Sequence, residues 1–469
     1  MSDRDTPSLR PAPGRSLTSY RCDFAWLGTS TEVERDVLID VDGERIIRVA
    51  AASADRQAAD EALALHGLTI PGMANCHSHA FHRAIRGRTQ RGAGSFWTWR
   101  EAMYEVAATL DPDTYRDLAT ATYAEMALAG ITAVGEFHYL HHQRDGTPYT
   151  DGNAMGAALV DAAREAGLRI TLLDACYLHG GIGIGPGATQ RRFSDGDAHR
   201  WAERVDGIAT ARHAKVGAAI HSVRAVDPDS MSVVAEWAHA RETPLHSHVS
   251  EQPAENEACL AAYDCTPVEL LRRSAALDDL FTAVPATHVT DGDVALLGAA
   301  SCTCCCCPTT ERDLADGIAP TRSLRDAGAR LSLGSDSHAV IDLLEEARAV
   351  ELDERLASGQ RGTHDAAGLL SAATHVGHSS IGWPDAGRIE VGAVADLVTV
   401  SFDSVRLAGA SAEHLVEHVV FAGTAADIDH VVASGRVVVR DGRHTTIDGP
   451  AALARSVTAT IDHDRHDEP

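Results

Sequence analysis

The stretch from Leu68 to His79, Leu-Thr-Ile-Pro-Gly-Met-Ala-Asn-Cys-His-Ser-His, ends a short apolar run with two histidines one residue apart. Successive side chains of a β-strand point to opposite faces, so His77 and His79 would point the same way if this run is a strand. Two imidazoles on one face can bind one metal ion. Because the chain has 25 histidines, the pair becomes informative only if further ligands follow other strands.

Strand-like runs recur along the middle of the chain, and helical patterns lie between them. The predicted strands end near Phe81, Phe137, Leu173, Ile220, Val249, Val289, Cys306 and Leu333. The helical patterns include residues 114–128, 153–166, 230–241 and 323–327. Eight strands that alternate with helices predict an α/β fold, a (β/α)8 TIM-like barrel, over residues 70–384.

Both ends of the chain carry shorter strand patterns. Residues 19–69 and 385–445 contain alternating apolar runs, some separated by Asp-Gly and Ser-Gly turns. Such patterns predict antiparallel strands, and we expect a small β-sandwich domain built from both chain ends. We also expect residues 1–18 to be disordered and residues 446–469 to form a C-terminal helix or tail.

The composition disfavours several classes of partner. A net charge of −26 argues against binding to nucleic acid or to an anionic membrane surface. No apolar run reaches the roughly 18–20 residues that a transmembrane helix needs. Residues 1–15 lack the apolar segment of a signal peptide, so we expect a cytoplasmic protein.

Five of the ten cysteines lie close together, at Cys302 and at positions 304–307. Reduced thiols are the default in the cytoplasm. A thiolate metal cluster is the alternative. Adjacent residues on a strand face opposite ways and cannot all reach one ion, which disfavours that cluster.

Active sites of such barrels lie at the C-terminal ends of the strands, where further metal-binding side chains occur. His246 and His248 end the fifth strand, and Asp336 follows the eighth. With His77 and His79, these residues can supply three imidazoles and one carboxylate to a zinc ion that keeps an open position for water. Iron or another divalent metal can occupy the same set. Either His246 or His248 could be the third imidazole, since both face one side.

Other polar residues near strand ends can handle protons or bind a substrate. Glu251 lies three residues after His248 and is well placed to carry a proton to a leaving group. Arg100 and Arg224 can each bind a carboxylate through two hydrogen bonds, although each alone is more typical of a surface or salt-bridge arginine.

Several motifs together resemble the metal-dependent amidohydrolase superfamily, and within it the formimidoylglutamate deiminase family. The resemblance spans about residues 20–445. The motifs are residues 71–79, 77–81, 95–101, 136–139, 221–224, 308–317 and 334–338, together with the His248 and Glu251 pair.

This resemblance implies the hydrolysis of N-formimino-L-glutamate to N-formyl-L-glutamate and ammonia, a step of histidine degradation. It implies one zinc ion per chain, bound by His77, His79, His248 and Asp336. Asp336 would also accept the proton of the attacking water, and Glu251 would pass it to the leaving nitrogen. The partner would be a small dicarboxylate, with neither nucleic acid nor membrane bound, and we expect a homodimer.

The resemblance also implies which residues contact the substrate. They are Arg100, Tyr139, His221 and Arg224, and a substrate with two carboxylates agrees with two arginines. His82 joins this set, at a position where the family usually has glutamine. An imidazole can still donate one hydrogen bond there.

The sixth strand departs from the family. Pro285 stands where the family has a histidine that positions the attacking water, and proline has no side-chain base. His288, three residues further on, is the remaining catalytic candidate on this strand. The cysteine-rich seventh strand is a further departure. Two alternatives therefore stay open: an amidohydrolase for another amidine or cyclic substrate, or a metal-binding homologue with impaired catalysis.

Overall fold

The computed structural model describes residues 17–91, Gly94 and residues 96–462, with Phe96 and Asp462 described by their backbone only. The expectations for residues 1–16 and 463–469, and for Ser95 of the 95–101 motif, lie outside these described residues.

The strands are numbered in chain order. They are β1 (Leu17–Trp26), β2 (Val33–Asp42), β3 (Arg45–Ala51), β4 (Leu63–Pro71), β5 (Met73–Ser78), β6 (Ile131–His138), β7 (Arg169–Cys176), β8 (Ala214–Ser222), β9 (Leu245–Val249), β10 (Phe281–Pro285), β11 (Thr303–Cys306), β12 (Arg330–Leu333), β13 (Leu397–Val400), β14 (Ile428–Ala433), β15 (Arg436–Arg440) and β16 (Arg443–His444).

The α-helices are numbered in the same way. They are α1 (Arg56–Glu61), α2 (Phe96–Thr109), α3 (Pro112–Leu128), α4 (Ala154–Ala166), α5 (Ala198–Asp206), α6 (Pro228–Ala240), α7 (Pro253–Tyr263), α8 (Pro267–Arg273), α9 (Asp291–Ala299), α10 (Pro308–Leu314), α11 (Thr321–Ala327), α12 (Leu343–Ser358), α13 (Ala366–Ala373), α14 (His375–Ser380), α15 (Leu415–Ala422) and α16 (Gly449–Asp462). Short 3₁₀ helices span Ala52–Ala54, Ala80–Ile85, Thr189–Phe193 and Ala425–Asp427.

Strands β5 to β12 form a parallel eight-stranded sheet in sequence order, with helices between them. Every residue of β6 and β7 is buried, as expected where strands are covered on both faces. A parallel bridge between Ser78 and Asp336 brings the last strand back to the first. The predicted (β/α)8 barrel is confirmed.

Two strands end earlier than the sequence pattern predicts. The first barrel strand ends at Ser78 rather than near Phe81, because residues 80–85 form a 3₁₀ helix. The sixth ends at Pro285 rather than near Val289, and Ala286 then takes a positive φ of 62° that turns the chain out of the strand.

The remaining strands form the small β-domain, which both chain ends build as predicted. Their order is β16-β15-β14-β13-β4-β1-β2-β3, so strands from both chain ends belong to one hydrogen-bonded sheet. Strand β4 joins the two chain ends, because it pairs parallel with β1 and antiparallel with β13.

A buried ion pair connects this domain with the barrel. Arg169 of β7 donates two hydrogen bonds to Asp396, which directly precedes β13, at 2.9 and 2.5 Å. The Asp396 carboxylate also accepts hydrogen bonds from the Thr132 hydroxyl of the barrel and the Ser434 amide of the small domain. One carboxylate thus holds β6, β7 and the β14–β15 turn together.

None of the helices in the described ranges has the length and apolar content needed to cross a bilayer.

Candidate metal centre and active site

Four side chains predicted to bind metal converge at the C-terminal end of the barrel. His77 lies on β5 and His79 directly follows that strand, His248 lies on β9, and Asp336 follows β12. The Nε2 atom of His77 lies 3.1 Å from that of His79 and 3.2 Å from that of His248. One oxygen of Asp336 lies 3.4 Å from His77 Nε2 and 3.3 Å from His79 Nε2.

These spacings fit one tetrahedral metal ion. Ligand bonds of about 2.0–2.2 Å in a tetrahedron place the donor atoms roughly 3.3–3.6 Å apart. Four donors at nearly this separation, three imidazoles and one carboxylate, match zinc in donor chemistry, and zinc in catalytic sites can take a fifth ligand such as water.

The other ring nitrogens orient two of the histidines. His79 Nδ1 donates to the Phe137 carbonyl at 2.9 Å, and His248 Nδ1 donates to the His221 carbonyl at 2.8 Å. Because Nδ1 carries the proton, Nε2 of each ring presents its lone pair to the centre of the group.

The pKa values of these side chains favour the protonation states that bind a metal ion. Burial lowers the pKa of His77 to about 3 and that of His248 to about 4, so both rings are neutral near pH 7. Burial alone would raise the pKa of Asp336, but hydrogen bonds with His77 and His79 hold it well below the ordinary value. Neutral imidazoles and an ionised carboxylate are the protonation states that metal binding requires.

Backbone contacts fix Asp336 beside the histidines. Its amide donates to the His77 carbonyl, and its carbonyl accepts from the His79 amide. Asp336 has a φ of 39°, in the left-handed region that residues other than glycine rarely adopt. Glu136 fixes the residues on either side of His79, because its carboxylate accepts hydrogen bonds from the Ala80 amide and the Ser78 hydroxyl.

The structure separates the two histidines of β9. His246 Nε2 donates to the Ser380 carbonyl at 2.9 Å, so this ring lies deeper in the barrel and supports the fold. His248 is therefore the third imidazole of the metal group, the name used below for the side chains of His77, His79, His248 and Asp336.

Another buried group, His138, His141 and Asp174, has donor atoms near one another. Arg204 donates to both oxygens of Asp174, at 2.7 and 2.9 Å, and balances its charge. We therefore assign no metal ion to this group.

The clustered cysteines pack as core residues. All are buried free thiols, and burial raises the pKa of Cys302 to about 12. Within the described residues, none of the groups able to hold a metal ion contains cysteine.

A cavity of about 380 Å³ opens over the metal group. Glu251 lines it and accepts a hydrogen bond of 2.9 Å from Arg224 Nη2. Arg100 of α2 reaches the cavity from another side and donates to the Tyr104 hydroxyl at 2.6 Å. Arg100 forms no ion pair with any carboxylate in the described part of the chain, whereas Arg224 does.

The three other predicted substrate residues also line this cavity. His82 Nε2 and the Tyr139 hydroxyl lie 3.0 Å apart. The His221 ring packs edge-on against Tyr177, with 4.3 Å between ring centroids, and burial keeps the pKa of His221 well below its ordinary value. The cavity thus combines two cations and several acidic side chains with neutral hydrogen-bonding groups.

His288 is the predicted site residue that the structure does not bring to this group. It follows β10, and its Nε2 donates to the Asp316 carbonyl at 2.7 Å. Its amide donates to the Ser250 carbonyl. The early end of β10 at Pro285 and the turn after it direct this ring to the α10–α11 loop, and His288 does not line the cavity.

Sequence reasoning missed two features of the cavity wall. Gln190 donates to the hydroxyls of Tyr104 and Tyr177, and it thereby holds the Tyr104 hydroxyl that accepts from Arg100. Glu255 lies beside Arg224 and also lines the cavity. The spacing of Glu255, four residues after Glu251, was the only sequence signal that could have indicated it.

A (β/α)8 barrel with three imidazoles and one carboxylate at its C-terminal end, open to a polar cavity, defines a metal-dependent hydrolase. Comparison with known proteins agrees with this class. The profile of the amidohydrolase family matches residues 68–438. The chain belongs to the amidohydrolase family and is a hydrolase that acts on carbon–nitrogen bonds.

Individual relatives fall within the same family. Formimidoylglutamate deiminase of Pseudomonas aeruginosa is 37% identical over 399 residues, which cover 82% of this chain and 88% of that protein. 5-methylthioadenosine/S-adenosylhomocysteine deaminase of Natronomonas pharaonis is 28% identical and covers 89% of this chain and 91% of its own. The crystal structure of an amidohydrolase from Brucella melitensis has a TM-score of 0.85 and 32% identity, and covers 95% of this chain and 100% of that one.

Proposed function

We propose that this protein hydrolyses N-formimino-L-glutamate to N-formyl-L-glutamate and ammonia. The observation that carries the proposal is the pair of arginines, Arg100 and Arg224, that reaches one cavity with the metal group. A guanidinium binds a carboxylate through parallel hydrogen bonds, so two arginines suit a substrate with two carboxylates. The similarity to a formimidoylglutamate deiminase supports the same substrate.

We propose zinc as the metal, one ion per chain, held by His77, His79, His248 and Asp336. When bound, zinc supplies a Lewis acid that acidifies water and polarises the substrate. Three imidazoles and one carboxylate favour zinc over the harder cations magnesium and calcium, which prefer oxygen ligands.

The chain's own carboxylates move the protons of the reaction. A water oxygen attacks the formimino carbon while an oxygen of Asp336 accepts the proton that this water loses. Glu251, which also lines the cavity, delivers a proton to the formimino nitrogen, so that the carbon bears a hydroxyl and an amino group. The proton on Asp336 then moves to this amino group, the carbon–nitrogen bond breaks, and ammonia leaves. The hydroxyl on the carbon gives its proton to Glu251 and becomes the carbonyl of N-formyl-L-glutamate, so both carboxyl groups return to their starting states.

The cavity wall orients the formimino group for this attack. His221 and His82 are neutral because burial lowers both pKa values, so each ring can donate one hydrogen bond and accept another. The Tyr139 hydroxyl beside His82 adds a further donor. Each arginine holds one carboxylate, which places the group between Asp336 and Glu251.

The test is an assay of the purified protein with one zinc ion per chain. We expect ammonia and N-formyl-L-glutamate to form in equal amounts from N-formimino-L-glutamate. The Asp336→Asn variant should be inactive, since it loses a ligand and the proton acceptor. No turnover by the zinc-loaded protein would overturn the proposal.

A second candidate is a metal-binding homologue with impaired catalysis. The position of His288 favours it, because this histidine hydrogen-bonds a backbone carbonyl outside the cavity. Under this alternative the protein binds N-formimino-L-glutamate and zinc but hydrolyses the substrate slowly. Measured binding without turnover would separate the two.

A further inference from the structure

Arg224 contacts two acidic side chains at once. Its Nη2 donates to Glu251 Oε2 at 2.9 Å, and its Nε lies 3.7 Å from Glu255 Oε2. The three side chains are 17%, 11% and 0% exposed for Arg224, Glu251 and Glu255 respectively. One guanidinium therefore joins the proposed proton carrier to a second acid that the mechanism does not use.

Glu255 is held loosely for a buried carboxyl group. It lies in the first turn of α7, and its Oε1 accepts a long hydrogen bond, 3.4 Å, from the Ser250 amide, while the Glu251 amide also stabilises the ionised form. Its buried Oε2 accepts no hydrogen bond from any group in the described ranges. An unsatisfied buried oxygen is unfavourable, so this atom offers a better position to a donor of Arg224.

The charges agree with such a position. Burial raises the pKa of Glu255 to about 7, although Arg224 opposes this rise. Burial alone would lower the pKa of Arg224, but Glu255 and Glu251 raise it well above the ordinary value. The guanidinium stays charged, and both Glu255 and Glu251 stabilise its charged form.

The proposed function makes competing demands on this arginine. Arg224 must hold a substrate carboxylate, and Glu251 must be free to deliver a proton. In the structure the Nη2 atom of Arg224 is bound to Glu251 itself. The Glu251 oxygen that accepts this hydrogen bond faces the guanidinium and cannot at the same time face the leaving nitrogen.

Resting on the proposed function, we propose that the substrate carboxylate draws Arg224 away from Glu251 and that Glu255 receives its Nε. Glu251 is then free to deliver the proton. Glu255 is a positioning residue that acts through Arg224, and it couples recognition of the substrate to proton transfer. The result is selectivity expressed in kcat, since binding of the carboxylate assists the chemical step.

The first experiment uses the unaltered protein loaded with zinc. Two analogues of N-formimino-L-glutamate, each with one carboxylate replaced by a carboxamide, are compared with the parent compound. The analogue that lacks the carboxylate for Arg224 should show a kcat on the order of 10²-fold lower, the size of a lost acid–base contribution. The other should mainly raise KM. Equal kcat values for all three compounds would overturn the proposal.

The second experiment compares Glu255→Gln with Glu257→Gln, a substitution of an exposed residue on the same helix. The neutral amide attracts the guanidinium less, so Arg224 stays with Glu251. We expect Glu255→Gln to lower kcat at least tenfold, a part of the usual acid–base contribution, with zinc content unchanged. KM should rise as well, because Arg224 held by Glu251 binds the substrate carboxylate less. Glu257→Gln should match the unaltered protein.

The outcomes separate this inference from the proposed function. Absence of turnover with the parent compound would contradict both the proposed function and the role of Glu255. Normal turnover, with the same kcat for the analogues and for Glu255→Gln, would contradict only the role of Glu255. If Glu255→Gln does not fold, the analogue comparison decides alone, because it needs no variant.

Discussion

At the residue scale, the metal centre depends on which histidines face it and which ring nitrogen each one offers. Hydrogen bonds from His79 and His248 to backbone carbonyls settle both points for these rings. His246 lies two residues before His248 and yet contributes its Nε2 to a backbone carbonyl instead. These neighbours provide a matched pair of substitutions.

His248→Ala should abolish zinc binding and activity, because it removes one of four ligands. His246→Ala should keep one zinc ion per chain, while it lowers the free energy of unfolding by roughly 1–3 kcal/mol through the unpaired Ser380 carbonyl. Metal analysis and urea unfolding measure both. Zinc loss from His246→Ala together with retention in His248→Ala would reverse the assignment.

Arg100 has a role that differs from that of Arg224, because it contacts tyrosine and tryptophan rather than a catalytic acid. Arg100→Ala should raise KM for N-formimino-L-glutamate roughly 10- to 100-fold, the value of a hydrogen bond to a charged group. Zinc content should not change. The exposed Arg361→Ala serves as the control. An unaltered KM would remove Arg100 from the substrate site.

The sequence could predict the placing of the four ligand candidates because alternation along strands and the ends of barrel strands leave few positions for them. The catalytic use of these residues stays a prediction. Glu255 could not be found in this way. Its burial beside Arg224, with one oxygen that accepts no hydrogen bond in the described residues, arises where α7 packs against the loop that carries Arg224.

At the scale of elements, helix positions follow local signals closely. Asp111 and Asp227 cap α3 and α6, each followed by proline, so the observed helices start within two residues of the predicted ranges. Strand ends were harder to predict. An apolar pattern does not distinguish a strand that continues from a chain that turns, as at Ser78 and Pro285.

The end of β10 decides whether catalysis depends on a histidine there. We expect Pro285→His to change kcat less than about threefold, because the proposed mechanism assigns the proton acceptor and donor to Asp336 and Glu251. A gain on the order of 10²–10⁴-fold would instead show that the natural protein lacks a general base and is catalytically impaired. Zinc content of the variant must first equal that of the unaltered protein.

At the scale of the whole molecule, Asp396 links the barrel to the small β-domain. Asp396→Asn should lower the free energy of unfolding by about 3–5 kcal/mol, since it leaves the buried Arg169 without its counter-charge. Asp161→Asn breaks an exposed pair with Arg164 and should cost about 0–1 kcal/mol. Urea unfolding compares them. Equal losses would mean that the buried pair does not hold the two parts together.

Buried histidines throughout the barrel make stability depend on pH. Burial lowers the pKa values of His141, His246 and His378 to about 4 from an ordinary 6.5. The unfolded chain therefore binds more protons below about pH 6.5, and stability falls as the pH drops from that value towards 4. Unfolding should be easier at about pH 5 than at pH 7 with zinc in excess.

The His246→Ala variant is the control for this dependence. It lacks one of the three groups, so its free energy of unfolding should fall less over the same pH interval. A steeper fall, or equal stability of the unaltered protein at both pH values, would contradict the assignment of neutral buried rings.

The most direct test of the account compares two substrates on one zinc-loaded sample. We predict that kcat/KM for N-formimino-L-glutamate exceeds that for 5′-methylthioadenosine by more than about a thousandfold, because in the proposed complex Arg100 and Arg224 would each form charge-assisted hydrogen bonds only with the dicarboxylate. A higher kcat/KM for 5′-methylthioadenosine would contradict the account.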